Sequence, residues 1–173
     1  MCLFFASCER YCHGFPEHLA NYLPYKKGYT LSFVNQFNDT VSFRVNEIDM
    51  QKEHAIPKCG KCECKEPFFA VYADNLNCTI SVGLELGEPY INFILDNLYF
   101  GDKISNNELP YSELRANIRN FKGKYNPQNG PIFGETVTLE GSSQISKVLI
   151  VWGIGVIEFY DQKHDFQWKS INK

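Results

Sequence analysis

The feature that most constrains this chain is a pair of alternating stretches, Tyr29–Val34 and Thr40–Ile48. In the first, Tyr29, Leu31 and Phe33 share one face and Thr30 and Ser32 the other; in the second, Val41, Phe43 and Val45 point one way. Period two puts every second residue on one side of a strand and scatters the same residues around a helix. The intervening Asn35-Gln36-Phe37-Asn38-Asp39 is made of turn formers. The pattern predicts an antiparallel hairpin with one buried face and one wet face.

Further strand-like runs follow at similar spacing: Phe68–Ala73, Thr79–Leu86, Tyr90–Leu95, Leu98–Phe100, Thr136–Glu140, Lys147–Trp152, Gly155–Tyr160 and Phe166–Ser170. Asp74-Asn75, Gly87-Glu88-Pro89, Asp96-Asn97, Gly141-Ser142-Ser143 and Asp161–Asp165 separate them as turns. Polar Asp49–Glu66 reads as a long loop. Ser112–Phe121 reads as the one helix of the domain, with Ser112 as cap and Leu114, Ile118 and Phe121 at helical spacing. Pro- and Gly-rich Gly123–Pro131 breaks structure after it. The fold class expected is all-β: an antiparallel meander closing into a small barrel or curved sandwich, with one short helix.

Composition narrows the function. The 173 residues suit one domain with a real core, and 15% aromatic content favours a β-rich interior. A net charge of −3 and a single basic pair, Lys26-Lys27, exclude a phosphate-backbone footprint, so no nucleic-acid partner is expected. The longest apolar run after the N-terminus, Val148–Ile157, holds two glycines and is about half the ~20 residues a spanning helix needs. It is expected as a buried strand pair.

The N-terminus has a different logic. Leu3-Phe-Phe-Ala-Ser-Cys8 is a short apolar run, two small residues and a cysteine, followed at once by Glu9 and Arg10. That order suggests the tail of a lipoprotein signal sequence, with Cys8 expected as the acylated residue. No Lys or Arg precedes Cys8, and the apolar part is shorter than the roughly 7–15 residues of a working leader, so residues 1–7 are expected to be a truncated signal segment. The rival reading is a buried strand opened by Leu3–Phe5. Residues 8–25, aperiodic and containing Gly14, Pro16 and Pro24, are expected as a tether with one helical turn near Glu17–Tyr22, and residues 26–173 as a single β-rich domain.

Cysteine usage points to an oxidising space or a metal. Of the seven (Cys2, Cys8, Cys12, Cys59, Cys62, Cys64, Cys78), five remain if Cys2 leaves with the leader and Cys8 is acylated. Cys59-x-x-Cys62-x-Cys64, with Cys78 downstream and His54 upstream, has the ligand types of a closed structural zinc site. The same residues, with Cys12, suit disulfides fastening the loop to the sheet, and disulfides are the favoured reading for an exported protein. Redox activity at Cys59-x-x-Cys62 lacks the βαβ context that lowers a thiol pKa.

No catalytic residues can be named. His13, His18, His54 and His164 fall in expected loops or the tether, where such residues are usually solvated, and no Gly-x-Ser-x-Gly, His-Glu-x-x-His or phosphate loop occurs. Asn38-Asp-Thr40 and Asn77-Cys-Thr79 are read as turn chemistry. Phe33, Phe43, Phe69, Tyr72, Phe93, Tyr99, Phe100 and Phe159 are read as core, with a barrel-enclosed ligand cavity as the alternative.

Pro24-Tyr-Lys-Lys-Gly28-Tyr-Thr-Leu-Ser-Phe33 with Asp39-Thr-Val-Ser-Phe43 resembles the first hairpin of small lipoproteins of Bacteroides-type bacteria. Trp152-Gly-Ile-Gly155-Val-Ile-Glu-Phe159, with Asp161 and Trp168, resembles their closing hairpin. The resemblance covers both ends, and the middle only by strand number. It implies the β fold and a lipid-anchored place in the envelope, facing the periplasm or at the outer membrane, and carries almost nothing about activity. With no nucleophile or acid–base pair to name, a non-enzymatic structural, binding or interaction role is expected. A lipocalin-like binder of a small apolar ligand and a domain with a structural zinc site are the alternatives; no other cofactor is expected.

Overall fold

The structure, a computed structural model, describes residues 15, 17–51, 55–58, 61–64, 67–73, 78–85, 88–95, 98–99, 108–109, 112–118 and 135–171. One 3-10 turn, Glu17–Tyr22, precedes the strands. These are β1 (Thr30–Val34), β2 (Thr40–Gln51), β3 (Ala55–Lys58), β4 (Lys61–Cys64), β5 (Phe68–Ala73), β6 (Cys78–Glu85) and β7 (Glu88–Leu95). They continue as β8 (Leu98–Tyr99), β9 (Glu108–Leu109), β10 (Ser112–Asn117), β11 (Thr136–Glu140), β12 (Ile145–Val151), β13 (Gly155–Asp161) and β14 (Phe166–Ser170). Ten strands make one antiparallel sheet in the order β10-β7-β6-β5-β2-β1-β14-β13-β12-β11. The pairs β3–β4 and β8–β9 are separate ribbons.

The sheet curls into a nearly closed barrel, and β2 is its corner. Thr40–Arg44 pairs with β1 while Val45–Gln51 pairs with β5, and the register slips between Val45 and Glu47. An extra residue at such a slip bends a strand and sharpens its twist, so one long strand can serve both walls. On the opposite side β10 packs against β11 and β12. There the Ile145 amide donates to the Ser112 hydroxyl at 3.2 Å, and Leu114 lies under Gly141.

The inward positions fill the barrel. Phe33, Phe43, Phe159 and Trp168 form its aromatic centre: Phe159 stacks on Trp168 at 5.8 Å, and Phe33 meets Phe159 edge-on at 5.0 Å. Both are favoured arrangements of aromatic quadrupoles. Val82, Ile91 and Leu95 from one wall, and Leu139, Val148 and Ile150 from the other, are fully buried in the same cluster.

The hairpin expected from the alternating stretches is β1–β2, with Phe33 opposite Val41 and Leu31 opposite Phe43. Its turn is organised by Asn35, whose side-chain oxygen accepts the Phe37 and Asp39 amides at 2.9 Å, while Asn38 takes the left-handed conformation at φ 66°. Val148–Ile157 is the expected strand pair, split between β12 and β13.

Three expectations are corrected. Ser112–Asn117 is strand β10, not the start of a helix: Ser112, Leu114 and Ile118 are buried, and Glu113 and Arg115 are exposed. A spacing of four is on one face in both periods, so Leu114 and Ile118 could not discriminate; pairing with β7 decides it. The expected loop at Asp49–Glu66 is instead the end of β2 followed by the β3–β4 ribbon. A ladder is built by backbone groups, which polar side chains do not prevent. The tether expected up to Tyr25 is part of the folded body from Glu17, because Leu19, Tyr22, Leu23 and Tyr25 are buried in the core. The 3-10 turn itself stands where one helical turn was expected.

Candidate functional site

The segment after the 3-10 turn is clamped to the β12–β13 connection. Tyr25 is buried, and the Val156 amide donates to its hydroxyl at 2.6 Å. Gly155 makes room: its φ is +96°, and a Cβ there would overlap the Tyr25 hydroxyl. Val151–Ile154 is a turn closed by the Ile154 amide on the Val151 carbonyl, with Gly153 at φ +81° as the third residue, the position of a type II turn that glycine suits. The Gly153 amide donates to Asn21 and the Trp152 indole to His18, both backbone carbonyls of the 3-10 turn.

These contacts enclose a cleft of about 240 Å³ at one rim of the barrel, lined by Pro24, Tyr25, Tyr29, Gly153, Ile154, Val156 and Ser170. Pockets that enclose drug-sized ligands run to roughly 300–1,000 Å³, so this is a shallow surface feature. Its lining is aromatic and aliphatic, with two phenols and one hydroxyl as its polar side-chain groups. Burial holds the Tyr25 phenol well above its ordinary value, so it stays a neutral hydrogen-bonding group. Around the cleft, Tyr29, Trp152 and Ile154 are about 40% exposed, and Lys26 and Lys27 are exposed on the turn before β1. Tyr25 and Tyr29 lie with ring centroids 5.7 Å apart.

At the other end of β13 is a polar constellation. Asp161, 2% exposed, accepts the Lys163 and His164 amides and the Gln144 side-chain amide through one oxygen. Its other oxygen meets His164 Nδ1 at 2.6 Å. An ionised carboxylate only accepts, so the Nδ1 that faces it is the donor of this contact. Among the described residues no hydroxyl or thiol lies within hydrogen-bond reach of that ring. The group orders the β13–β14 turn, in which Asp165 has φ 56° and accepts the Tyr160 hydroxyl. His164 is part-buried and bonded to Asp161, which corrects the expectation of a solvated histidine.

Of the residues singled out in the sequence, Cys8, Cys12, Cys59 and His54 lie outside the described residues. Cys62 and Cys64 are on β4, where the backbone alone is described. Cys78 opens β6 and is buried in the core. Among the described residues there is no disulfide and no cluster of three metal-ligating side chains. No described helix is long and apolar enough to cross a membrane. Sequence reasoning missed Tyr25 and the Asp161–His164 pair. The second had a signal, since Asp161-Gln-Lys-His164 between two strands is an acidic residue placed to cap its own turn.

Fold and site together define a side-chain-filled antiparallel β-barrel with an aromatic cleft at one rim. Set against protein-family models, curated proteins and solved structures, the chain finds no match in any of the three.

Proposed function

We propose that this protein is a lipid-anchored, non-enzymatic β-barrel of the bacterial envelope, acylated at Cys8, with a binding or interaction role carried by its surface. The observation that supports this best is the docking of the chain's N-terminal side onto the aromatic rim through His18, Asn21 and Tyr25. A covalent anchor at Cys8 is nine residues before Glu17, within about 30 Å of that rim even on a fully extended chain. Such an anchor would hold the barrel by this end. The filled interior, and a cleft without a carboxylate, imidazole or thiol in its described lining, favour surface binding over catalysis and over a lipocalin-like enclosed ligand.

Fractionation of cells expressing the full-length gene product tests the reading. After a high-salt wash that strips charge-held surface contacts, the wild-type chain is expected to stay with the membranes and Cys8→Ala to be released into the wash. Equal membrane retention of both would overturn it.

A further inference from the structure

The rim cleft has a composition that surfaces of ordinary soluble domains avoid collecting in one place. Scattered exposed apolar residues need no explanation, but here Tyr29 and Ile154 line one cleft and Trp152 adjoins it on the same turn. Tyr and Trp are the side chains enriched where bilayer headgroups meet acyl chains, because each has an apolar body and a polar tip. Lys26 and Lys27 stand on the turn that leads into Tyr29, closed by the Tyr29 amide on the Lys26 carbonyl. A cation near an anionic leaflet contributes the equivalent of about fivefold in binding.

We infer that this rim rests on the headgroup–acyl boundary of an anionic lipid bilayer, with Tyr29, Trp152 and Ile154 as apolar contacts and Lys26 and Lys27 as charge contacts. The inference deepens the anchoring reading and rests on it for orientation, since Cys8 tethers this end of the barrel. Glu17 and Glu135 are exposed at the same end, so the attraction is local to the lysine pair and needs the apolar contacts as well. The net charge of −3 adds no general attraction to an anionic surface.

The two tryptophans make the rim readable. Trp168 is buried in the core, whereas Trp152 is 41% exposed, so a change in environment at the rim appears in Trp152 emission alone. The experiment uses the full chain with Cys8→Ser, which cannot be acylated, and phosphatidylcholine vesicles with or without phosphatidylglycerol. A blue shift is expected only with phosphatidylglycerol, and Trp152→Phe should remove it while Trp168 emission reports an intact fold. Lys26→Glu/Lys27→Glu should weaken binding by roughly twentyfold or more, as should added salt. No shift with anionic vesicles, or equal binding by the lysine variant, would overturn the inference. So would a lipid-free shift that grows with protein concentration, which would assign the rim to a second copy of the chain. Since this chain lacks the acyl acceptor, a negative result leaves anchoring at Cys8 intact, and acyl labelling tests that separately.

Discussion

The Tyr25 hydroxyl accepts the Val156 amide at 2.6 Å across 131 residues of sequence, in a space left open by the missing side chain of Gly155. This one contact joins the chain's N-terminal side to the β12–β13 corner and shapes the rim cleft. Tyr25→Phe should leave a buried amide without its acceptor and cost about 1–3 kcal/mol in urea unfolding, with little change in the denaturant slope.

Gly155→Ala should be worse. A residue with a Cβ in that conformation is strained by roughly 1–2 kcal/mol, and the methyl would displace Tyr25 at a further cost of about 1–3 kcal/mol. Gly153→Ala is the control: its φ is also positive, but nothing lies within 4 Å of the added carbon, so it should show the conformational cost alone. Parallel melts of the two variants check the difference. Equal losses would mean that the Tyr25 contact contributes nothing.

Alkaline stability follows from the same phenol. Burial keeps Tyr25 protonated above the ordinary tyrosine value of about 10; burial and then the Glu135 charge do the same for Tyr22. Above pH ~10 the unfolded chain releases protons that the folded chain retains, so the folded state is progressively disfavoured. Tyr25 alone should give a slope near 1.4 kcal/mol per pH unit, with its contribution fully present below pH ~10. Unfolding curves across the alkaline range should show this decline, and Tyr25→Phe should flatten it.

Asp161 should matter more than His164. Asp161→Ala removes the acceptor for two backbone amides, Gln144 and the imidazole at once, and should cost about 2–4 kcal/mol. His164→Ala leaves the backbone amides bonded and should cost about 1 kcal/mol. Nitrogen NMR of the wild-type ring should find the proton on Nδ1.

Much of the barrel was legible because its strands carry period two on their own. Leu31, Phe33, Val41 and Phe43 alternate with polar residues, and the β1–β2 hairpin follows from them without reference to the rest of the chain. The corner in β2 was not legible, since the slip at Val45/Glu47 is fixed by which strand each half pairs with. β10 was misread because Leu114 and Ile118 fit either period. The segment 17–25 was misread because an aperiodic stretch shows its burial only against distant partners, here Val156 and Gly153. The candidate site is made of such long-range contacts, so its residues could be seen as turns and aromatics but not assembled.

The central claim is the covalent anchor at Cys8, and metabolic labelling of the full-length gene product with radiolabelled palmitate tests it most directly. The account predicts a labelled wild-type protein and no label on Cys8→Ala at equal expression. Label that persists on Cys8→Ala, or a wild-type protein that takes up none, would contradict it.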